Sequence, residues 1–236
     1  MGARSAFALV ALVATTTHAL SDEALAKFQA ATAANKIAEP FDPPHEADEW
    51  YMVTIANVSV GYMHTTVAVN DEFVRTMEVM DVQVSRGQDT SRMAFETVFD
   101  EIPFTTAPAP ETVAAEKQTS GGVQVMAYDQ RFANSEVRMN ASFAPEGVTL
   151  VSHNGEKWHT SELPLPEESW LGRMRARLEF AKQCRAGETE IVVQTMRPEL
   201  GPRVVNLSST LVDILPVWDG TEYVDASVWS VQVHAC

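Results

Sequence analysis

The residues most able to do chemistry are a cysteine and a handful of histidines. Cys184 is the one internal cysteine, and Cys236 is the last residue. A thiol becomes a nucleophile when a helix N-terminus or a neighbouring cation stabilises its thiolate. Cys184 has Arg185 beside it, but it falls near the C-terminal end of a helix predicted over 167–186, where the helix dipole opposes an anion. The structural reading, a packed thiol or half of a disulfide, is favoured. As a bridge, Cys184–Cys236 would close a long loop, worth roughly 4–5 kcal/mol in the chain-entropy model, less any strain.

Metal chemistry needs convergent ligands. Beyond residue 19 the histidines are His45, His64, His153, His159 and His234. None are paired at the i, i+2 or i, i+4 spacing that sets two imidazoles on one face. A two-residue turn at Asn154-Gly155 would set His153 opposite Glu156 and His159 opposite Leu150, so these two do not face each other. Met63, Met77, Met80 and Met93 fall in strand patterns, where thioethers fill core gaps. The parity of Met77 and Met80 puts them on opposite faces. There is no phosphate-binding glycine loop, nucleophile elbow or H-E-x-x-H motif. Carboxylates are abundant, and no pair is singled out. No catalytic residue, cofactor or metal is expected.

Three N-x-Ser sequons carry a different chemistry. They are Asn57-Val58-Ser59, Asn140-Ala141-Ser142 and Asn206-Leu207-Ser208, and each is an acceptor for N-glycosylation in an exported protein. Residues 1–19 fit such an address. Arg4 precedes an apolar stretch over 6–14 that is too short to span a bilayer, and Thr17-His18-Ala19 predicts cleavage near Ala19. In that compartment a cysteine pair readily oxidises. The net charge of −15 argues against nucleic acid and against an anionic membrane surface. Losing the leader would make it one unit more negative, because Arg4 goes and no acid does. No later run is long and apolar enough to span a membrane.

The elements that must hold these residues are mostly strands. Asp22 opens an alanine-rich helix, capped by Ser21 and weakly anchored by Leu25, Phe28 and Ile37. Prolines at 40, 43 and 44 end it in a linker. From Trp50 to Val84 the chain reads strand, turn at Asn57, strand with Gly61 as a bulge or close approach, turn at Asn70-Asp71, strand. Thr90 to Asp100 alternates. Met93, Phe95 and Phe99 lie on one face, and Arg92, Glu96 and Asp100 on a wet one. Further strands are predicted over 112–120, 123–132, 136–143, 148–153 and 156–163. Gly121-Gly122 and Asn154-Gly155 are the hairpin turns. The helix over 167–186 buries Trp170, Leu171, Met174 and Leu178, starts on Glu167 and Glu168, and is capped by Gly187. Its Arg173, Arg175, Arg177 and Lys182 face water. Strands over 190–196, 204–215 and 223–234 follow.

The order of several short motifs resembles the β-rich region that precedes the catalytic core in bacterial transglutaminase-like proteins. These are Trp50-Tyr51, Val60-Gly61-Tyr62-Met63-His64, Arg86-Gly87, Leu163-Pro164-Leu165-Pro166, Ala186-Gly187-Glu188 and Arg197-Pro198-Glu199-Leu200. The resemblance covers residues 49–229. The layout is also similar to periplasmic half-barrel proteins that hold or shuttle lipid. The resemblance implies a noncatalytic role, because the family's Cys-His-Asp triad belongs to a separate core for which there is no room after Cys236.

The reading is thus a mainly β fold. An antiparallel meander forms a curved sheet or half-barrel with one packed helix, plus a short N-terminal helical arm. Residues 1–19 are a signal peptide, 20–48 the arm and linker, and 49–236 the β-rich domain. The expected role is a secreted module that binds a protein or cell-surface partner. The alternative is a carrier of an apolar small molecule or lipid. The core side of the sheet discriminates them, since a filled core suits the module and an open apolar cavity the carrier.

Overall fold

A computed structural model of the chain describes residues 20–33, 46–55, 58–86, 89–103, 121–132, 135–218 and 223–235. The leader, the proline linker, the turn at Asn57, Gly87, the strand expected over 112–120, Asp219-Gly220 and Cys236 lie outside these residues. The fold is mainly β, as the alternation requires. Strands β1 (Ala47–Ile55), β2 (Val58–Val69), β3 (Val74–Arg86), β4 (Asp89–Glu101), β5 (Val123–Phe132), β6 (Ser135–Ala144), β7 (Gly147–His153) and β8 (Trp158–Leu163) form one antiparallel sheet in sequence order. The sheet is not closed, so β1 and β8 are its edges. Strands β9 (Glu190–Met196), β10 (Val204–Trp218) and β11 (Tyr223–Ala235) do not extend that meander. They make a separate three-stranded sheet in the order β11-β10-β9.

The chain divides into two compact units. The first comprises residues 43–175 and 195–204, and so contains the whole meander. Its register follows the punctuation in the sequence. Asn70 closes the β2–β3 turn by accepting the Glu72 and Phe73 backbone N–H groups on Oδ1, each at 2.8 Å, an Asx turn. At Gly61 both expectations meet. The β1–β2 ladder skips Val60 as a bulge, and a Cβ on Gly61 would lie 1.9 Å from the Asp81 carbonyl oxygen.

Alternation sorts the sheet into two faces. One face buries Phe99, Met126, Tyr128, Met139, Ala141 and Val148 with Trp170, Met196 and Val204, and Phe95, Phe143, Leu150, Leu163 and Leu165 pack against this cluster. The other face, called the open face below, carries the charges. It is less wet than the alternation suggests. Asp100 is nearly buried, because the Arg75 guanidinium grips it with two hydrogen bonds of 2.6 and 2.7 Å.

The β7–β8 hairpin departs from expectation. Its loop has four residues, not two, and pairs His153 with Trp158 and Ser152 with His159. Asn154 Oδ1 faces the Glu156 and Lys157 N–H groups at 3.4 and 3.5 Å. The asparagine thus turns the chain through its side chain rather than as the first corner of a tight two-residue turn.

The helix also starts later than predicted. It is α2 (Arg173–Arg185). Residues 167–172 are not helical, because Leu171 is claimed by a parallel bridge to Thr195, whose Oγ1 donates to the Leu171 carbonyl at 2.8 Å. Glu167 and Glu168 therefore do not cap it. The cap is Glu101, from the end of β4. Its Oε2 accepts the Met174 N–H at 2.6 Å, and Oε1 lies 3.4 Å from the Arg175 nitrogen and 3.6 Å from its guanidinium. Nor do Arg173 and Arg175 face water as predicted. Arg173 donates to Glu78 Oε1 at 2.9 and 2.5 Å, and Arg175 donates to the Ile102 carbonyl at 3.3 Å.

Glycines make the room for this cap. Gly121 and Gly122 sit at positive φ, and a Cβ there would lie 2.5 Å from the Trp170 ring and 2.1 Å from the Arg175 guanidinium. The pair was expected to turn a hairpin into β5. β5 instead pairs with β4 on one edge and β6 on the other, so neither edge is left for that hairpin, and the glycines lead into β5 beside Trp170 and Arg175. A Cβ on Gly172 would meet Glu101 Oε1 at 2.4 Å.

The second unit comprises residues up to 42, 176–194 and 205–236. Its N-terminal helix α1 (Asp22–Ala33) is capped by Ser21 as expected, with Oγ accepting the Ala24 N–H at 3.1 Å. It is anchored more firmly than a loose arm. Ala24 and Phe28 are buried. Phe28 packs edge-on to buried Trp229 of β11 at 6.0 Å, and Phe180 does the same at 5.0 Å. Ile37 lies outside the described residues. Gly187 ends α2 at φ +87°, with the Glu188 N–H reaching the Gln183 carbonyl, which is the C-cap expected of it.

Two stability effects follow from the cap. Burial pushes the Glu101 carboxyl up to about 7, against the opposing pull of the Met174 N–H and Arg175. The folded state therefore holds a proton that the unfolded chain releases near its ordinary carboxylate value. Stability from this group is present below about pH 4.5 and is lost as pH rises towards 7, by on the order of 3 kcal/mol. Urea melts from pH 5 to 8 should show that decline, and Glu101→Gln should flatten it. Gly172→Ala should cost about 1–3 kcal/mol by overpacking against Glu101 and Val123, and less in a Glu101→Ala background, where the Val123 Cγ2 contact at 2.8 Å remains. Equal costs in both backgrounds would sink the steric account.

Candidate functional site

The open face of the eight-stranded sheet gathers residues that are far apart in the chain. Successive registers line up Trp50, His64, Val79, Glu96, Asp129, Arg138, His153 and Trp158 in a row that crosses every strand from β1 to β8. Each end of the row is a tryptophan set against a histidine. Trp50 stacks on His64 at 3.9 Å and 12°, and leans on Tyr62 at 5.3 Å. His64 Nε2 lies 2.8 Å from Asp48 Oδ1, which fixes the ring beneath the indole. At the other end Trp158 meets His153 at 4.8 Å.

These aromatics are not core. Trp50 is 64% exposed, Met52 71%, Tyr62 40% and Trp158 60%. Two large indoles and a thioether facing solvent on an ordered sheet give up free energy that only contact with something else recovers. Between the two ends the face is ionic. The Arg138 guanidinium reaches Glu136 at 2.7 Å and Asp129 at 3.2 Å, and Arg92 pairs with Asp81. Hydrogen bonding from Arg92 and Arg138 holds Asp81 and Glu136 below the usual carboxylate range. The charges therefore persist through neutral and mildly acid pH.

Hollows open on the described residues of this unit. One, of about 220 Å³, lies on the open face among Glu96, Val98, Asp129, Arg138, Asn140 and Trp158. Another, of about 380 Å³ and of mixed polar and apolar lining, sits by Glu146, Thr149, Glu162 and Pro164. The arrangement can stack flat apolar surfaces and exchange hydrogen bonds with hydroxyls or amides.

The residues singled out in the sequence are scattered. Asn140 is exposed in mid β6, Asn206 is half-buried in β10, and Asn57 lies outside the described residues. Met80 pairs with Met63 and Phe95 on the core side, while Met77 pairs with Thr66 and Val98 on the open face, as parity required. His153 and His159 fall on opposite faces, and His45 is outside the described residues. Among the described residues no group of three His, Cys, Asp or Glu side chains converges as a metal site. Cys184 is buried near the end of α2, and Cys236, its expected disulfide partner, is outside the described residues. Sequence reasoning missed Glu101, which ends a strand like any solvent carboxylate. It also missed the Trp50-to-Trp158 row, which only the accumulated register assembles.

Burial pushes the Cys184 thiol up to about 12, so thiolate chemistry is suppressed at neutral pH. Native protein at pH 8 should resist alkylation at Cys184 for hours. Unfolded protein should label at the ordinary rate, or only after reduction if Cys184 is bridged to Cys236. Rapid labelling of the native chain would overturn the buried assignment.

Comparison of the chain with protein-family models, with curated proteins and with solved structures finds no match.

Proposed function

We propose that the chain is a secreted, noncatalytic β module that holds a protein or cell-surface partner on the open face of its eight-stranded sheet. The observation that carries this reading is the contrast between the two faces. The core face is filled around Trp170 and Met126 by its own apolar cluster, with Phe132 and Val137 exposed towards its β5–β6 end, whereas the open face leaves Trp50, Met52, Tyr62 and Trp158 in solvent. A carrier of an apolar ligand would need that core side empty. Exposed aromatics bordered by fixed charges are the usual make-up of a recognition surface, in which a few large side chains supply most of the affinity. The apolar stretch at 6–14 and the three sequons support export. The resemblance to the region preceding transglutaminase-like cores gains nothing from the comparisons, and the proposal does not depend on it.

The test uses secreted full-length protein and washed cells or extracellular protein extracts. Retention should fall at least tenfold for the Trp50→Ala, Met52→Ala double variant, with the melting temperature little changed because both side chains are mostly exposed. Retention equal to wild type would overturn the surface assignment. A lipid or other apolar molecule recovered stoichiometrically by organic extraction would favour the carrier. In parallel, amine incorporation into a glutamine-bearing acceptor should stay at the no-enzyme background with or without calcium. Incorporation abolished by Cys184→Ala would overturn the noncatalytic reading.

A further inference from the structure

The hollow on the open face contains a sequon asparagine. Asn140 belongs to Asn140-Ala141-Ser142. Its neighbours Met139 and Ala141 are buried on the core side, so alternation turns the Asn140 side chain to the open face, where it lines the 220 Å³ hollow. Across the ladder it pairs with Ala127 and Val151, and Ala127 leaves space beside it. Trp158 lines the same hollow and is 60% exposed. Glu96 and Asp129 supply acceptors, and the Arg138 guanidinium, already held by Glu136 and Asp129, supplies donors.

We propose that this hollow seats a saccharide, namely the N-linked glycan carried by Asn140, with its first sugar ring lying against the Trp158 indole. A pyranose has an apolar C–H face and a rim of hydroxyls, which matches an indole wall with carboxylate and guanidinium neighbours. The volume is below the roughly 300–1,000 Å³ of pockets for drug-sized ligands, and so suits one ring rather than a long chain. Attachment at Asn140 makes the contact intramolecular, so a weak single-ring interaction is enough to hold it. The proposal rests on the export reading above.

The experiment expresses the full chain with its leader in a eukaryotic secretory host and follows each sequon by glycopeptide mass spectrometry. Asn140 should be occupied. Its glycan should be released by endoglycosidase at least tenfold more slowly from native than from denatured protein. Trp158→Ala should remove that protection, and Glu96→Gln should weaken it about threefold. Glycan at Asn57 or Asn206 with Asn140 bare would overturn the seat and leave export standing. No glycan at any sequon would overturn both. An occupied Asn140 with equal release rates in wild type and Trp158→Ala would overturn the stacking. An Asn140→Gln chain that binds added chitobiose through Trp158, while the attached glycan is unprotected in wild type, would assign the hollow to external sugar and overturn the tethered occupant.

Discussion

A single carboxylate sets where the helix begins. Glu101 is fully buried at the end of β4, and its two oxygens take up the first backbone donors of α2. Orphan N–H groups at a helix start must be satisfied somewhere, and carboxyl oxygens can accept them. Most helices do this with a residue of their own. Here the cap comes from the end of a strand, which reaches the Met174 and Arg175 nitrogens that open the helix. Gly172 and Gly122 are small because the carboxylate and Arg175 occupy the space their side chains would need.

That arrangement explains where local reasoning stopped. Most strands of the meander were readable because turns such as Asn70-Asp71, and the alternation of Met93, Phe95 and Phe99, are written within a few residues, whereas the pairing of β5 with β4 and the separate sheet of β9 to β11 were not. The helix start was not readable. Glu167, Glu168 and the spacing of Trp170 and Leu171 look like a first turn, and local propensity alone would make one. Tertiary claims on Leu171 and Trp170 override it. Arg173 and Arg175 looked like a solvated face for the same reason, since their partners Glu78 and Glu101 lie some 70 to 95 residues earlier.

The candidate surface was legible only in pieces. Trp50-Tyr51 and Trp158 each read as strand residues, and aromatics in strands are ordinary core material. Which face they take follows from parity, but whether that face is covered depends on the far side of the sheet. The open-face row needs seven successive registers to be right, and the β7–β8 loop shows how one misjudged turn shifts a row. With the four-residue loop in place, Trp158 joins His153 and Arg138. A two-residue loop would have put Glu156 there.

The strictly sequential order of β1 to β8 bears on how the chain assembles. Each strand pairs with the next in sequence, and six of the seven ladders close through connections of two to four residues, the exception being β4–β5, joined by residues 102–122; local contacts of this kind form fast. The bond from Glu101 to the Met174 N–H spans 73 residues, and Trp170 reaches the core only from the same distant segment. Any sheet formed before that segment docks would leave Phe99, Met126 and Tyr128 uncovered. During that interval the acidity of the chain is protective, because strongly like-charged copies repel before their bare faces can meet.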